Sequence, residues 1–340
     1  MKNILKILLA FLLLLAFDVY AQGGRRTGTG GAAHLLIPVG PRGIAMGEAN
    51  VSTSSGIESL FWNPAGVAKM DGSTDIMFSH MSYIADIGVE YGALAANFEG
   101  FGVVSFSLKA LSIGDIQITT TANPDGTGEV FTPTMITAGL GFSRLLTESI
   151  SVGLTANFIS ERIADVSATG IAFDVGVIYD DLADVNGLSI GFVLKNFGPD
   201  MQYTGPGLIA QGQLDGLNRP PNFYTIEAAK FELPSNFQIA LGYRPVLDEM
   251  NSLQFSGMYM NNNFSGDEYK LGGEYGYNST FFVRAGYQFA PDISDAYIYG
   301  FTAGVGIDYN VEGFGFKVDY AYRDVEFFDG NHVIALTLGF

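Results

Sequence analysis

Residues 332–340 alternate strictly. Ile334, Leu336, Leu338 and Phe340 fall on one face of an extended strand, and Val333, Ala335, Thr337 and Gly339 on the other. The sequence stops on an aromatic residue of the apolar face. In an open sheet such a strand exposes an edge, which pairing with the first strand of the chain would remove. The same period recurs upstream. Ile171, Phe173, Val175, Val177 and Tyr179 oppose Gly170, Ala172, Asp174 and Gly176. Tyr299, Phe301, Ala303, Val305, Ile307 and Tyr309 oppose Gly300, Thr302, Gly304, Gly306 and Asp308. Phe314, Phe316, Val318, Tyr320 and Tyr322 oppose Gly315, Lys317, Asp319, Ala321 and Arg323. Hydrocarbon satisfies no backbone N–H or C=O, so strands that face lipid must close on themselves. The expected fold is all-β, a closed antiparallel transmembrane β-barrel of about 14 strands around an amino-terminal plug segment.

The composition agrees. The chain is 48% hydrophobic, yet beyond its start it has no apolar run of ~20 residues, the length a helical span needs. Its 27 Phe and 17 Tyr suit strands with an aromatic outer surface. With no cysteine, disulfides, thiolate metal sites and cysteine nucleophiles are excluded. A formal charge of −18 argues against nucleic acid and anionic phospholipid surfaces as partners.

Residues 1–21 read as an export signal, with Lys2 and Lys6, an apolar core over 7–17, and Val19-Tyr20-Ala21 before Gln22. Residues 22–73 follow as a Gly/Arg/Thr leader and a plug. From 32 to 73 alternation is absent, prolines and glycines break the apolar pieces, and one helical turn is expected near 57–61. Here the only tryptophan, Trp62, precedes Asn63-Pro64-Ala65-Gly66, where Pro64 biases Asn63 away from helix and Gly66 permits a left-handed turn. An irregular segment of this length needs something to pack on, and a wide barrel would provide it.

Residues 74–340 form the barrel, with fourteen strand candidates beginning at 74–83 and ending at 331–340; the fifth and sixth are placed at 150–160 and 170–180. If the chain starts in the periplasm, connections after odd strands face outward. The two longest, 111–134 and 198–234, follow strands 3 and 7, as the long-outer-loop rule of these barrels requires. The three-residue turn at 278–280 sets Glu274 across from Arg284 on the inner face. That pairing is worth roughly 0.2–1 kcal/mol, whereas an arginine facing lipid costs ~2–4 kcal/mol. Lys109, Arg144, Lys195, Arg284, Lys317 and Arg323, with Asp174, Glu274, Asp308 and Asp319, are expected to form an interior ion-pair network that holds the plug.

No catalytic set, metal site or cofactor motif is legible. The three histidines, His34, His80 and His332, lack ligand-like spacing, and the acidic turn at 180–184 reads as solvated. The 198–234 connection carries Met201, Tyr203, Leu208, Ile209, Leu214, Leu217, Phe223 and Tyr224 among Gly and Pro residues, too much apolar surface for a purely solvated loop. It is either a lid over the mouth or a surface for a partner or an apolar ligand.

Leu36-Ile37-Pro38-Val39-Gly40-Pro41-Arg42-Gly43-Ile44-Ala45-Met46-Gly47-Glu48-Ala49, followed by Glu58-Ser59-Leu60-Phe61-Trp62-Asn63-Pro64-Ala65-Gly66-Val67-Ala68, resembles the amino-terminal signature of the PorV/PorQ family. Pro38, Arg42, Met46, Gly47, Trp62, Asn63, Pro64 and Gly66 carry the motif. The chain departs from it at Glu48, where the family has glycine, and at Pro41, where a small residue is usual. The resemblance implies a FadL-like barrel with an amino-terminal plug, in the outer membrane of a Bacteroidota-like Gram-negative bacterium. It also implies a non-enzymatic role in type IX secretion, binding or shuttling exported cargo proteins among the secretion and attachment machinery. The alternative it leaves open is a FadL-like transporter of hydrophobic small molecules.

Overall fold

The computed structural model describes residues 30–212, 221–311 and 313–340; the expected export signal at 1–21, most of the expected leader, and Leu214 and Leu217 lie outside the described residues. Fourteen antiparallel strands close into a barrel in sequence order. They are β1 Thr74–Ser82, β2 Gly88–Phe98, β3 Gly102–Ser112, β4 Thr134–Leu145, β5 Ile150–Ile163, β6 Val166–Tyr179 and β7 Leu188–Phe197. The circuit continues with β8 Asn236–Tyr243, β9 Asn251–Asn262, β10 Glu268–Tyr277, β11 Phe281–Phe289, β12 Tyr299–Val311, β13 Phe314–Val325 and β14 Asn331–Gly339. Closure is by β1 on β14, from Asp75↔Gly339 to Ser82↔His332. The last residue is tied in as well: the Ser73 and Thr74 N–H groups donate to the Phe340 carbonyl at 2.6 and 3.1 Å.

Alternation decides which way each side chain points. Along β6, Ile171, Phe173 and Val175 are exposed on the outer wall while Ala172 and Asp174 are buried in the lumen. Glu274 pairs with Arg284 across the β10–β11 turn, in the register the sequence gives. Three expectations are corrected. β5 and β6 run on to Ile163 and Val166, because the residues placed in a loop between them simply continue the ladder, Ile163↔Val166 included. Arg144 shares the outer face of β4 with Leu140 and Phe142, one register step from the buried Ser143, so it is not part of the interior network. Tyr299 turns inward, because the β12–β13 register shifts between Tyr299 and Thr302 and a one-residue irregularity inverts the facing.

The segment from 32 to 73 lies inside. It is built of short turns: α1 Pro41–Ala45, α2 Ser59–Trp62, and 3-10 turns at Ala33–Leu36, Asn50–Ser52 and Pro64–Lys69. It starts at the end with the long connections, where the Gly31 N–H meets the Glu232 carbonyl. It leaves at the end with the short turns, where Lys69 pairs with Asp180. Along the way Val39, Ile44, Ile57, Leu60, Trp62 and Val67 pack on Met77, Met81, Val89 and Tyr91 of the inner wall.

Candidate functional site

Two devices hold the inner segment. The first is a set of notches in the wall. Pro64 fixes Asn63 in an extended conformation (φ −151°, ψ 107°), which lets the Asn63 Oδ1 accept from the Ala65 N–H at 3.1 Å and the Nδ2 donate to the Val51 carbonyl at 2.9 Å. This turn presses on β5 and β6 at glycines: a methyl group at Gly176 would overlap the Asn63 Oδ1, and one at Gly153 the Pro64 carbonyl. The Ser143 hydroxyl then donates to that carbonyl at 2.7 Å. Gly66 is not left-handed; it lies within the 3-10 turn Pro64–Lys69, and what it supplies is room beside the Ser54 carbonyl. Trp62 is buried with its indole against Gly43. Met46 and the left-handed Gly47 (φ 62°) seat on Gly272 and Gly286, and Thr302 bridges them by donating to the Ala45 carbonyl at 2.9 Å and accepting from the Gly47 N–H at 3.0 Å.

The second device is charge. Arg42 forks onto Glu274 at 2.8 and 2.9 Å; Arg284 donates to the same carboxylate at 2.5 Å and to Asp319 at 2.5 Å. Glu48, left-handed at φ 63°, carries strain that a glycine would avoid. Its carboxylate meets Lys270 at 2.6 Å and Arg323 at 2.8 Å, and these contacts offset the strain. Pro41, the other departure, opens α1, where a proline has no N–H to waste. Lys109 donates to three carbonyls of the first turn, those of His34, Ile37 and Leu35, at 2.9, 3.1 and 3.4 Å. Lys195 caps the Phe61 carbonyl at 2.6 Å and lies over its ring. The expected network is thus split: the Arg42–Glu274–Arg284–Asp319 and Glu48–Lys270–Arg323 clusters, Lys109 and Lys195 reach inner-segment groups, whereas Lys317 pairs with Asp308 near the short-turn end and Asp174 accepts from Asn157 and the Asn196 N–H within the wall.

Beside the Arg42–Glu274–Arg284 cluster is a charged cavity of about 630 Å³, opening near Lys69, Asp75 and Phe340. Glu58 lines it and accepts from the Gly43 N–H at 2.9 Å. Burial, with Asp319 nearby, pushes the Glu58 carboxyl up to about 7. Pro38 lines a second cavity of about 270 Å³, along with Leu35, Phe61, Met258, Met260 and Lys195.

The long outer connection divides in two. At its base Met201 is buried against Gly170, and Tyr203 packs on Phe231 at 5.4 Å. Tyr203 also donates to Glu161 at 2.7 Å, whose other oxygen meets His34 at 3.0 Å. Leu208 is half-buried in a short turn. Beyond it, Ile209–Gly212 pairs with Asn222–Thr225 as a two-stranded ribbon. On that ribbon Phe223 is 69% exposed, with Tyr224 and Ile209 also exposed and Ile226 following them. The expected loop residues therefore do not form one surface: Met201 and Tyr203 anchor, Phe223 and Tyr224 project. Sequence reasoning missed the His34–Glu161–Tyr203 chain, whose members are 127 and 42 residues apart, and whose only signal is a polar residue at an inward strand position.

A closed barrel of fourteen strands with an apolar, aromatic outer wall and a filled, charged lumen defines an outer-membrane β-barrel. Its fold is similar to that of the Ralstonia pickettii toluene transporter TbuX, with a TM-score of 0.57 and 13% identity over 89% of this chain and 98% of the other. It is also similar to the Pseudomonas putida toluene transporter TodX, with a TM-score of 0.56 and 13% identity over 89% and 97%. The monoaromatic hydrocarbon channel CymD gives 0.53 and 15% over the same shares. At such identities the likeness is one of fold alone. No curated protein matches the chain by sequence. The family model of the type IX secretion system protein PorV matches residues 20–257, and the chain belongs to that family.

Proposed function

We propose that this outer-membrane barrel receives exported proteins on its outer connections during type IX secretion, and that residues 32–73 act as a fixed plug. The observation that carries the reading is the ribbon Ile209–Gly212/Asn222–Thr225. It presents exposed Ile209, Phe223 and Tyr224, pairs with no further strand among the described residues, and stands on a base pinned to the inner segment. A ribbon with free edges can add a partner's strand by main-chain hydrogen bonds, with Phe223 and Ile209 as side-chain anchors. The notches and ion pairs favour a plug that stays in place while partners are handled at the surface. Replacing Phe223 and Ile209 by serine tests this: surface-attached cargo is expected to fall while the barrel still assembles. Unchanged cargo display would remove the loop from the mechanism.

A second reading, transport of hydrophobic small molecules, rests on the apolar part of the 270 Å³ cavity, where Leu35, Phe61, Met258 and Met260 share the lining with Glu48, Lys195, Lys270 and Arg323. Replacing Met258 and Met260 by glutamine separates the two, since it should abolish uptake of an apolar solute under this reading and leave cargo display intact under the first.

A further inference from the structure

The two lumen cavities differ in charge. In the larger one, near the short turns, each lining cation meets a carboxylate: Arg42 and Arg284 meet Glu274, Lys317 meets Asp308, and Lys69 meets Asp180. The smaller one is lined, among the described residues, by three cations and two carboxylates. Glu48 takes Lys270 at 2.6 Å and Arg323 at 2.8 Å, and Glu268 takes Lys270 at 3.0 Å. Lys195 is the surplus. It is 6% exposed, and among the described residues its ammonium donates only to the Phe61 carbonyl, at 2.6 Å. An ammonium carries three N–H groups, so two of them have no acceptor from the protein. Lys109 adds to the imbalance: it is 5% exposed, lies 5.2 Å from the same Phe61 ring, and spends its N–H groups on main-chain carbonyls. Asp174, which shares a small neighbouring cavity with both lysines, is already held by Asn157 at 2.8 Å and the Asn196 N–H at 2.7 Å. Buried charges ordinarily sit with counter-charges, and here cations outnumber them.

The surplus lies where a solute could reach it from outside the cell. Lys195 is near the loop end of β7, Asn236 opens β8, Asn262 closes β9 and Glu268 opens β10, so the cavity is at the end with the long connections. Leu36, 43% exposed, lines it as well. A cation with spare donors beside an apolar wall suits an amphiphilic anion, its charged head on the ammonium and its body on the wall. Volume narrows the class. A cavity of about 150 Å³ holds benzene. The 270 Å³ here has room for one ring with a substituent, or a short branched chain, and not for a long acyl chain.

We propose that the outer cavity binds a compact organic acid, a monocarboxylate whose head accepts from Lys195 and whose apolar body lies along Phe61, Met258 and Met260. The proposal rests on the second reading in placing a small molecule in this cavity, and it names the class of that molecule. It does not require that the acid be transported.

Trp62, the only tryptophan of the chain, lines the same cavity, so its fluorescence reports binding to the purified full mature chain. Titration with cyclohexanecarboxylate is expected to give a saturable change. The neutral analogue cyclohexylmethanol is expected to bind about tenfold more weakly, the loss of one charge-assisted contact. Lys195→Met should weaken the acid by about the same factor and leave the alcohol unchanged, while Lys195→Arg should keep the acid bound. If Lys195→Met does not fold, the comparison of acid with alcohol on the native protein still decides. Absence of a saturable change, or equal binding of acid and alcohol, overturns the proposal. Displacement of the acid by equimolar chloride overturns it too, by reducing the cavity to a simple anion site. Uptake measurements keep the transport reading apart: acid binding without uptake sinks transport and leaves this proposal standing, and uptake of neutral solutes without acid binding does the reverse.

Discussion

The inner segment and the outer ribbon are both irregular in sequence, yet they behave as opposites. Between residues 41 and 68 nearly every side chain is buried, each turn sits in a notch or on an ion pair, and a single added methyl group meets backbone. On the ribbon all four residues of Asn222–Thr225 are exposed, and Phe223 is 69% exposed among the described residues. The inner segment is over-determined, whereas the described part of the ribbon is left exposed, as the proposed plug and docking roles would require. The His34–Glu161–Tyr203 chain and the Gly31 N–H on the Glu232 carbonyl tie the inner segment to the base below the ribbon, so the two share a boundary.

The contrast can be broken most severely at Gly176. Valine there collides with the Asn63 side chain and the Pro64 ring and is expected to cost about 3 kcal/mol, the upper end of what overpacking a tight site costs. The barrel should still form, because its ladder is untouched. The segment should become accessible to protease and ion conductance should rise, both measurable on the purified protein in bilayers. If neither changes, the notch is not what holds the segment.

Glu48→Gly sets two effects against each other. It relieves a left-handed residue, worth roughly 1 kcal/mol. It also removes a buried carboxylate from Arg323 and Lys270, and breaking a buried pair costs roughly 3–5 kcal/mol. Lys270 keeps Glu268 at 3.0 Å, so the net loss is expected near the lower end, about 2 kcal/mol by this difference, read as a lower denaturation midpoint. A gain in stability would mean that the strain outweighs the pairing.

Glu58 gives a smaller, pH-dependent effect. Its folded carboxyl is near 7, above the ordinary 4.5, so the neutral form is the one the fold favours. The stability this confers is fully present below about 4.5 and is lost as pH rises through about 7. From pH 6 to pH 8 the protein should lose on the order of 1 kcal/mol, and Glu58→Gln should flatten that slope. Thermal unfolding in detergent at the two pH values decides it; a slope that survives in the variant assigns it to another group.

Much of the barrel was legible because period 2 is a local signal that needs only neighbouring residues. Glu274 could be set opposite Arg284 because a three-residue turn fixes the register between them. Tyr299 was misplaced because a register shift is decided by the partner strand, which the sequence does not display. Arg144 was misplaced because the inward set of β4 is established by Ser143 and Gly141, small residues that carry no pattern. The motif residues of the inner segment were found, but not what they touch. Asn63 rests on β6 and Arg42 on β10, 114 and 232 residues away, and no local rule reaches that far.

The smallest effect on stability should come from the most exposed residue. Phe223→Ser removes an aromatic ring that is already 69% in solvent, so it is expected to change stability by less than ~0.5 kcal/mol. If the ribbon is a docking strand, the same substitution should reduce retention of cargo at the cell surface by far more than its stability cost explains. That mismatch is the informative quantity. Tyr203→Phe supplies the control from the other side of the boundary: it deletes the hydrogen bond to Glu161, loosens the base, and should lower stability by about 1 kcal/mol while leaving the ribbon's own apolar face intact. Cargo display that follows Tyr203 rather than Phe223 would mean that the loop matters as a strap on the inner segment. Display that follows Phe223 rather than Tyr203 would mean that the uncovered ribbon is itself the contact.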